Sequence, residues 1–249
     1  IYLTALEKGF RPDTILRDAP ISFTNPYTKT IWQPKNYKNE YYGDVTMRKA
    51  LELSLNTASV RLLEMVGVGN VIEMAKRLNI DSNFAPNLSL ALGTTEITPL
   101  DLASAYTVFA RGGNYIHPVA VRNIKTTEGE EIYTEEPYEE NVVSPEAAYA
   151  LVDIMKGVIK RGTARAAASM PYYLAGKTGT TDDFKDAWFV GFSPHLLCLV
   201  WVGFDKPINL GNKESGGTAA LPIWIEFMSK ALPLYPNDDF KAPDKPAIK

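Results

Sequence analysis

Three runs near the end of the sequence constrain the fold more than any other feature. Residues 172–181, 187–193 and 196–204 each have strand length, and only a few residues separate one from the next. Connections this short can join antiparallel neighbours, whereas a parallel crossover needs a dozen residues or more. The three runs therefore predict an antiparallel meander. The second and third are almost entirely apolar instead of alternating, which predicts helices over both faces of the sheet.

The helices for that cover are legible upstream. Residues 46–53, 57–66 and 70–78 have helical spacing, punctuated by SLN and GVGN. Thr98-Pro99-Leu100-Asp101 sets an N-cap threonine before a proline at the first helical position, with an aspartate closing the box. That helix should end at Arg111-Gly112-Gly113. Ser144-Pro145 starts another helix, reaching about Lys160, and residues 219–231 with Pro222 form a closing one. Glu96 and Asp101 read as capping groups. IYLTALEKGF reads as the middle or end of a helix, so an upstream segment is expected. Residues 11–45 read as an ordered excursion with short strands, and 119–124 with 131–134 as a hairpin around TTEGE. The expected fold class is mixed α/β: an antiparallel sheet covered by helices on both faces, with an inserted, mainly helical lobe at 46–115. Residues 233–249 read as a polar C-terminal tail.

Composition narrows function mainly by exclusion. With 26 basic and 29 acidic residues the net charge is −3, which makes no electrostatic case for nucleic acid. Cys198 is the single cysteine, so no intrachain disulfide can form; within LLCLVWVGF it reads as a buried, unreactive thiol. Gly191, Ser193 and Pro194 interrupt the apolar runs before they reach membrane-spanning length. His117, His195 and Cys198 lack a clustered third ligand for zinc. Asp182, Asp183 and Asp186 read as a polar connection between two strands in preference to a cation site.

The sequence AGKTGTTDD (175–183) contains GKT without being a phosphate loop. Five residues before Gly176 stands Pro171 where the loop would need glycine, and a strand follows where a helix should. On a strand, Lys177 and Gly179 share one face, with Thr178 and Thr180 on the other. Gly179 would let a ligand backbone lie close, and an amine beside two hydroxyls suits a carboxylate or a developing oxyanion. The alternative is a solvated edge lysine that deters aggregation. Ser54-Leu55-Asn56 is open in the same way. It is either a plain helix boundary capped by Ser54 or Asn56, or a proton relay and an amide-binding group at the edge of a cleft.

KTG with an upstream SxN element is the late pair of motifs of penicillin-binding proteins and serine β-lactamases. Residues 40–64 (EYYGDVTMRKALELSLNTASVRLLE), 90–113 (LALGTTEITPLDLASAYTVFARGG), 158–167 (VIKRGTARAA) and 215–228 (SGGTAALPIWIEFM) also resemble a class A, bifunctional penicillin-binding protein, as does the region around KTG. The resemblance lies in the C-terminal transpeptidase domain and covers nearly all of the chain except the tail. It marks 1–232 as that domain, incomplete at its N-terminus.

One departure is large. No serine here is followed by lysine three residues on, so the family's SxxK nucleophile element is absent; Thr46-Met47-Arg48-Lys49 is the nearest approach. In relatives the helix after SxxK continues much like IYLTALEKGF, which places the expected nucleophile a few residues before Ile1. The isolated chain is then expected to be inactive.

The resemblance implies a D,D-transpeptidase that cross-links peptidoglycan stem peptides ending in D-Ala-D-Ala through a serine acyl-enzyme, and that β-lactams trap covalently. It implies no metal or organic cofactor. Lys177 would supply positive potential and steady Ser54, which would pass a proton to the leaving amine. Asn56 would bind the donor amide, and Thr178 and Thr180 the terminal carboxylate. Gly179 would admit the ligand beside the strand, and the Thr180 backbone N–H would form half of an oxyanion hole. The implied partners are the stem peptides, β-lactams, the SxxK segment, a glycosyltransferase domain and a membrane anchor. The implied location is the outer face of a bacterial cytoplasmic membrane. A D-alanyl-D-alanine carboxypeptidase and a non-catalytic penicillin- or muropeptide-sensing module remain alternatives.

Overall fold

A computed structural model describes residues 1–24 and 28–244. The chain opens with helix α1 (Tyr2–Glu7), followed by four short strands: β1 (Ile15–Asp18), β2 (Phe23–Thr24), β3 (Ile31–Trp32) and β4 (Gly43–Thr46). Helices α2 (Met47–Glu52), α3 (Asn56–Val66), α4 (Val68–Arg77) and α5 (Pro99–Ala110) come next. Strands β5 (Asn114–Ile116), β6 (Asn123–Lys125), β7 (Glu131–Thr134) and β8 (Glu139–Asn141) lead into the long helix α6 (Pro145–Lys160). Strands β9 (Ala175–Thr180), β10 (Asp186–Phe192) and β11 (Leu197–Gly203) precede the closing helix α7 (Leu221–Ala231).

β9, β10 and β11 form the antiparallel meander that the sequence predicts, with β10 in the centre. Its two faces carry different helices. Ala187, Phe189 and Gly191 of β10 face α7, where Phe189 meets the Trp224 ring edge-on at 5.0 Å. Trp224 is fully buried and its Nε1 donates to the carbonyls of Gly191 (3.2 Å) and Cys198 (3.1 Å). A Cβ on Gly191 would lie 2.6 Å from the Trp224 ring, so only glycine lets the helix come this close. Truncating a buried aromatic of this kind typically costs about 3–5 kcal/mol. On the other face Phe192 packs beneath α5, its ring 6.4 Å from Tyr106, in the core shared with α6.

Local chemistry accounts for the helix starts. The Thr98 hydroxyl accepts from the Asp101 N–H at 3.1 Å and donates to the Asp101 carboxylate at 2.7 Å. Ser144 caps α6, and its N–H and hydroxyl donate to Glu7 at 2.8 and 2.6 Å, tying α1 to the start of α6. The cap of α5 is Thr98 and not Glu96, which among the described residues contributes its carbonyl, accepting from Ser82 Oγ. The hairpin is shorter than its pattern, pairing Asn123–Lys125 with Glu131–Thr134, and both strands are exposed. The Arg122 carbonyl still accepts from the Glu135 N–H at 2.8 Å, but with no buried face alternation alone does not extend the ladder through 119–121.

The C-terminal segment runs back over the body. Asn237 donates to the Pro171 carbonyl, Lys156 pairs with Asp239, and Phe240 is buried against Phe192 with ring centroids 5.7 Å apart. Residues 245–249 of the expected tail lie outside the described residues. Among the described residues no helix is long and apolar enough to cross a membrane.

Candidate active site

Among the described residues β9 pairs only with β10, so its other side is an unpaired edge there. The Thr181 N–H donates to Asp186 across the pair at 3.1 Å. Hydrogen-bonding direction alternates along an antiparallel strand, so the backbone groups of Thr178 and Thr180 turn toward the free edge. The side chains divide between the faces. Lys177 lies opposite Val190 on the α5–α6 side, and Thr178 lies opposite Phe189 on the α7 side.

The Lys177 amine reaches across to the junction of α2 and α3. Its Nζ donates to Ser54 Oγ at 2.8 Å and to the Thr178 carbonyl at 2.8 Å. Ser54 holds a left-handed backbone conformation (φ 54°), a strained state for a residue with a Cβ. The turn is secured by Ser54 N–H to the Leu51 carbonyl and Leu55 N–H to the Ala50 carbonyl. Neither Ser54 nor Asn56 caps α3, whose N-cap is Leu55 without a side-chain bond. SLN is a helix boundary, as one reading has it, but without the cap from Ser54 or Asn56: Ser54 Oγ instead accepts from the Lys177 amine. Asn56 donates one of its two amide N–H groups to the Lys35 carbonyl at 2.8 Å, which fixes the orientation of its amide.

Burial pushes the Lys177 amine down from its ordinary 10.5 to about 8, because desolvation penalises the charged form. Half-buried, with its amine held by Ser54 and the Thr178 carbonyl, Lys177 is not a freely solvated edge residue. The unfolded chain holds the proton more tightly, so the cost to folding is full below about pH 8 and fades as pH rises toward 10.5.

The threonines are held from the opposite side. Thr178 Oγ1 lies 2.7 Å from Thr163 Oγ1, and the Gly216 N–H donates to Thr180 Oγ1 at 3.1 Å. Gly216 begins a π-helical turn, Gly216–Ala220, that lies against the strand backbone. A Cβ there would be 2.2 Å from the Trp188 carbonyl oxygen and 2.5 Å from that of Gly179. At Gly179 itself a Cβ would meet the Trp188 Cβ at 3.1 Å. Thr163 and Gly216 received no role from the sequence, although both lie in stretches that carry the resemblance.

The comparisons decide the family. A model of the penicillin-binding protein transpeptidase domain matches residues 1–197. The chain belongs to the penicillin-binding protein transpeptidase family. Penicillin-binding protein 1A of Aquifex aeolicus is 44% identical over 243 residues, covering 98% of this chain and 33% of that protein. The chain thus spans about a third of the length of the curated relatives it matches. The crystal structure of penicillin-binding protein 1A from Haemophilus influenzae superposes with a TM-score of 0.93 at 30% identity, over 98% of this chain and 42% of that one. The PonA1 protein of Mycobacterium tuberculosis in complex with penicillin V gives a TM-score of 0.80 at 27% identity, over 98% and 70%.

The remaining candidates in this transpeptidase-family chain take structural places. His195 pairs with Asp238, and His117 lies between Tyr115 and Tyr138. Asp186 accepts from Trp201 Nε1 at 2.9 Å, and Asp183 pairs with Lys185. The Asp182 side chain lies outside what is described. Cys198 is half-buried on β11, and burial pushes its thiol up.

Proposed function

We propose that the chain is the larger part of a peptidoglycan D,D-transpeptidase domain, acting through a serine acyl-enzyme on stem peptides ending in D-Ala-D-Ala. One observation carries the reading: the desolvated Lys177 amine lies 2.8 Å from Ser54 Oγ, joining the KTG strand edge to the SxN turn. An amine so placed both attracts a carboxylate and steadies a hydroxyl that relays a proton. Ser54 is the relay to the leaving amine, and Asn56, oriented by its bond to the Lys35 carbonyl, offers its side-chain oxygen and remaining N–H to the donor amide. Thr178 and Thr180 take the terminal carboxylate, Gly179 admits the ligand along the edge, and the outward Thr180 N–H is half of the oxyanion hole. The residues around 46–115 form the helical lobe of that domain, with 1–232 the domain itself and 233–249 its tail. The rest of the reading is a glycosyltransferase domain and membrane anchor elsewhere in the protein, working on the outer face of the cytoplasmic membrane. The PonA1 complex with penicillin V supports β-lactams as ligands of this domain, and covalent trapping of the serine is part of the same reading.

The reading needs a serine in an SxxK element, which these 249 residues do not contain. The test therefore uses the protein that carries that element. Labelled penicillin is expected to form an adduct that survives denaturation; no adduct at any concentration overturns the reading. A second result concerns pH. Labelling that needs the Lys177 ammonium should decline with an alkaline limb near pH 8 rather than near 10.5. Rates measured from neutral to alkaline pH locate that limb, and one at the ordinary lysine value would show that Lys177 is solvated.

A further inference from the structure

Two residues before Ser54, Glu52 is buried at 5% exposure at the end of α2. Its carboxylate accepts from Arg161 Nε at 2.8 Å and pairs with Arg161 Nη2, a two-pronged contact from the residue that ends α6. The Glu52 carbonyl accepts from the Thr163 N–H at 3.2 Å. Two glycines clear this seat. A Cβ on Gly157 would lie 2.0 Å from Glu52 Oε1, and one on Gly162 would lie 2.2 Å from the Glu52 carbonyl oxygen.

These contacts close a ring around the site. Glu52 leads through Leu53 to Ser54; Ser54 accepts from Lys177; Lys177 is bonded to Thr178; Thr178 meets Thr163; and Thr163 returns to Glu52. Every link is a covalent step or a hydrogen bond of at most 3.2 Å. The helical turn with Ser54 and the strand with Lys177 are thus fixed relative to each other at a second point behind the cleft. A salt bridge that served only the surface would need neither the carbonyl contact nor two glycines to receive it.

We propose that Glu52 is a positioning residue: held by Arg161 and Thr163, it sets the separation between the Ser54 turn and the Lys177 strand. This rests on the transpeptidase reading for its functional consequence, but the geometry can be tested without it. In the complete protein, Glu52→Gln and Arg161→Gln are each expected to slow covalent labelling by penicillin roughly tenfold or more, since small misplacements of reacting groups are costly. The loss should fall on the acylation rate constant and not on the initial affinity. The double variant should be no slower than the worse single one, because the two residues act as a unit.

An NMR titration of the Lys177 amine separates this from failure of the functional reading. Deleting an anion by itself would lower the amine's pKa, whereas an opened cleft that admits water raises it from about 8 toward 10.5. A rise in Glu52→Gln supports the brace even if wild type takes no label. An unchanged or lowered Lys177 pKa overturns it, as do unchanged labelling with a lower melting temperature and additive losses in the double variant. Should Glu52→Gln not fold, Arg161→Lys, whose ammonium cannot make the two-pronged contact, is read by the same measurements.

Discussion

Lys177→Ala is expected to slow covalent labelling by penicillin ~10²–10⁴-fold, the range typical of a positioned proton-transfer or oxyanion-stabilising group. The amine occupies a central position. It donates to Ser54 and to the Thr178 carbonyl, so its removal leaves the hydroxyl proposed as the relay without this donor and takes a positive charge from that point of the strand edge. Stability should move little, and the reason is the depressed pKa. Burial disfavours the ammonium in the folded chain, so deleting it removes a desolvation cost along with two hydrogen bonds. Labelling kinetics and thermal melting on the same sample distinguish the outcomes. Wild-type labelling of Lys177→Ala would overturn the role assigned here, and loss of both labelling and melting transition would mean that the lysine holds the fold.

The fold was legible wherever one local rule sufficed. The meander follows from the length of three apolar runs and the shortness of their connections, and two helices begin at the threonine and serine caps that precede prolines. The candidate site was legible only as two separate fragments. Lys177 and Ser54 are 123 residues apart, and no spacing rule joins a strand to a turn at that distance. Resemblance supplied the pairing; the contact itself comes from the left-handed turn at Ser54, a conformation that a serine does not advertise. Glu52, Thr163 and Gly216 were passed over for a related reason. Each makes its contacts with an element distant in sequence, and periodicity describes only what a residue does within its own element.

Gly216→Ala is expected to cost about 1–3 kcal/mol of stability, as overpacking commonly does, and to slow labelling on the order of 10²-fold. The added methyl group would lie 2.2 Å from the Trp188 carbonyl oxygen and 2.5 Å from that of Gly179, and neither is the yielding end of a side chain. Something in the backbone must move: the π-helical turn away from β9, or β9 away from the turn. Either movement strains the Gly216 N–H bond to Thr180 Oγ1 and displaces Thr180, whose own N–H faces the free edge. A domain of this size should lose about 2–4 °C in melting temperature per kcal/mol. Gly217→Ala is the matched control, because its nearest contact would be the Thr163 carbonyl oxygen at 3.2 Å, which a small adjustment relieves. Labelling should therefore fall far more at Gly216 than at Gly217, measured on the folded fraction of each. Equal behaviour of the two variants would mean that the turn does not hold Thr180, and the end of the strand proposed to bind the carboxylate would need another support.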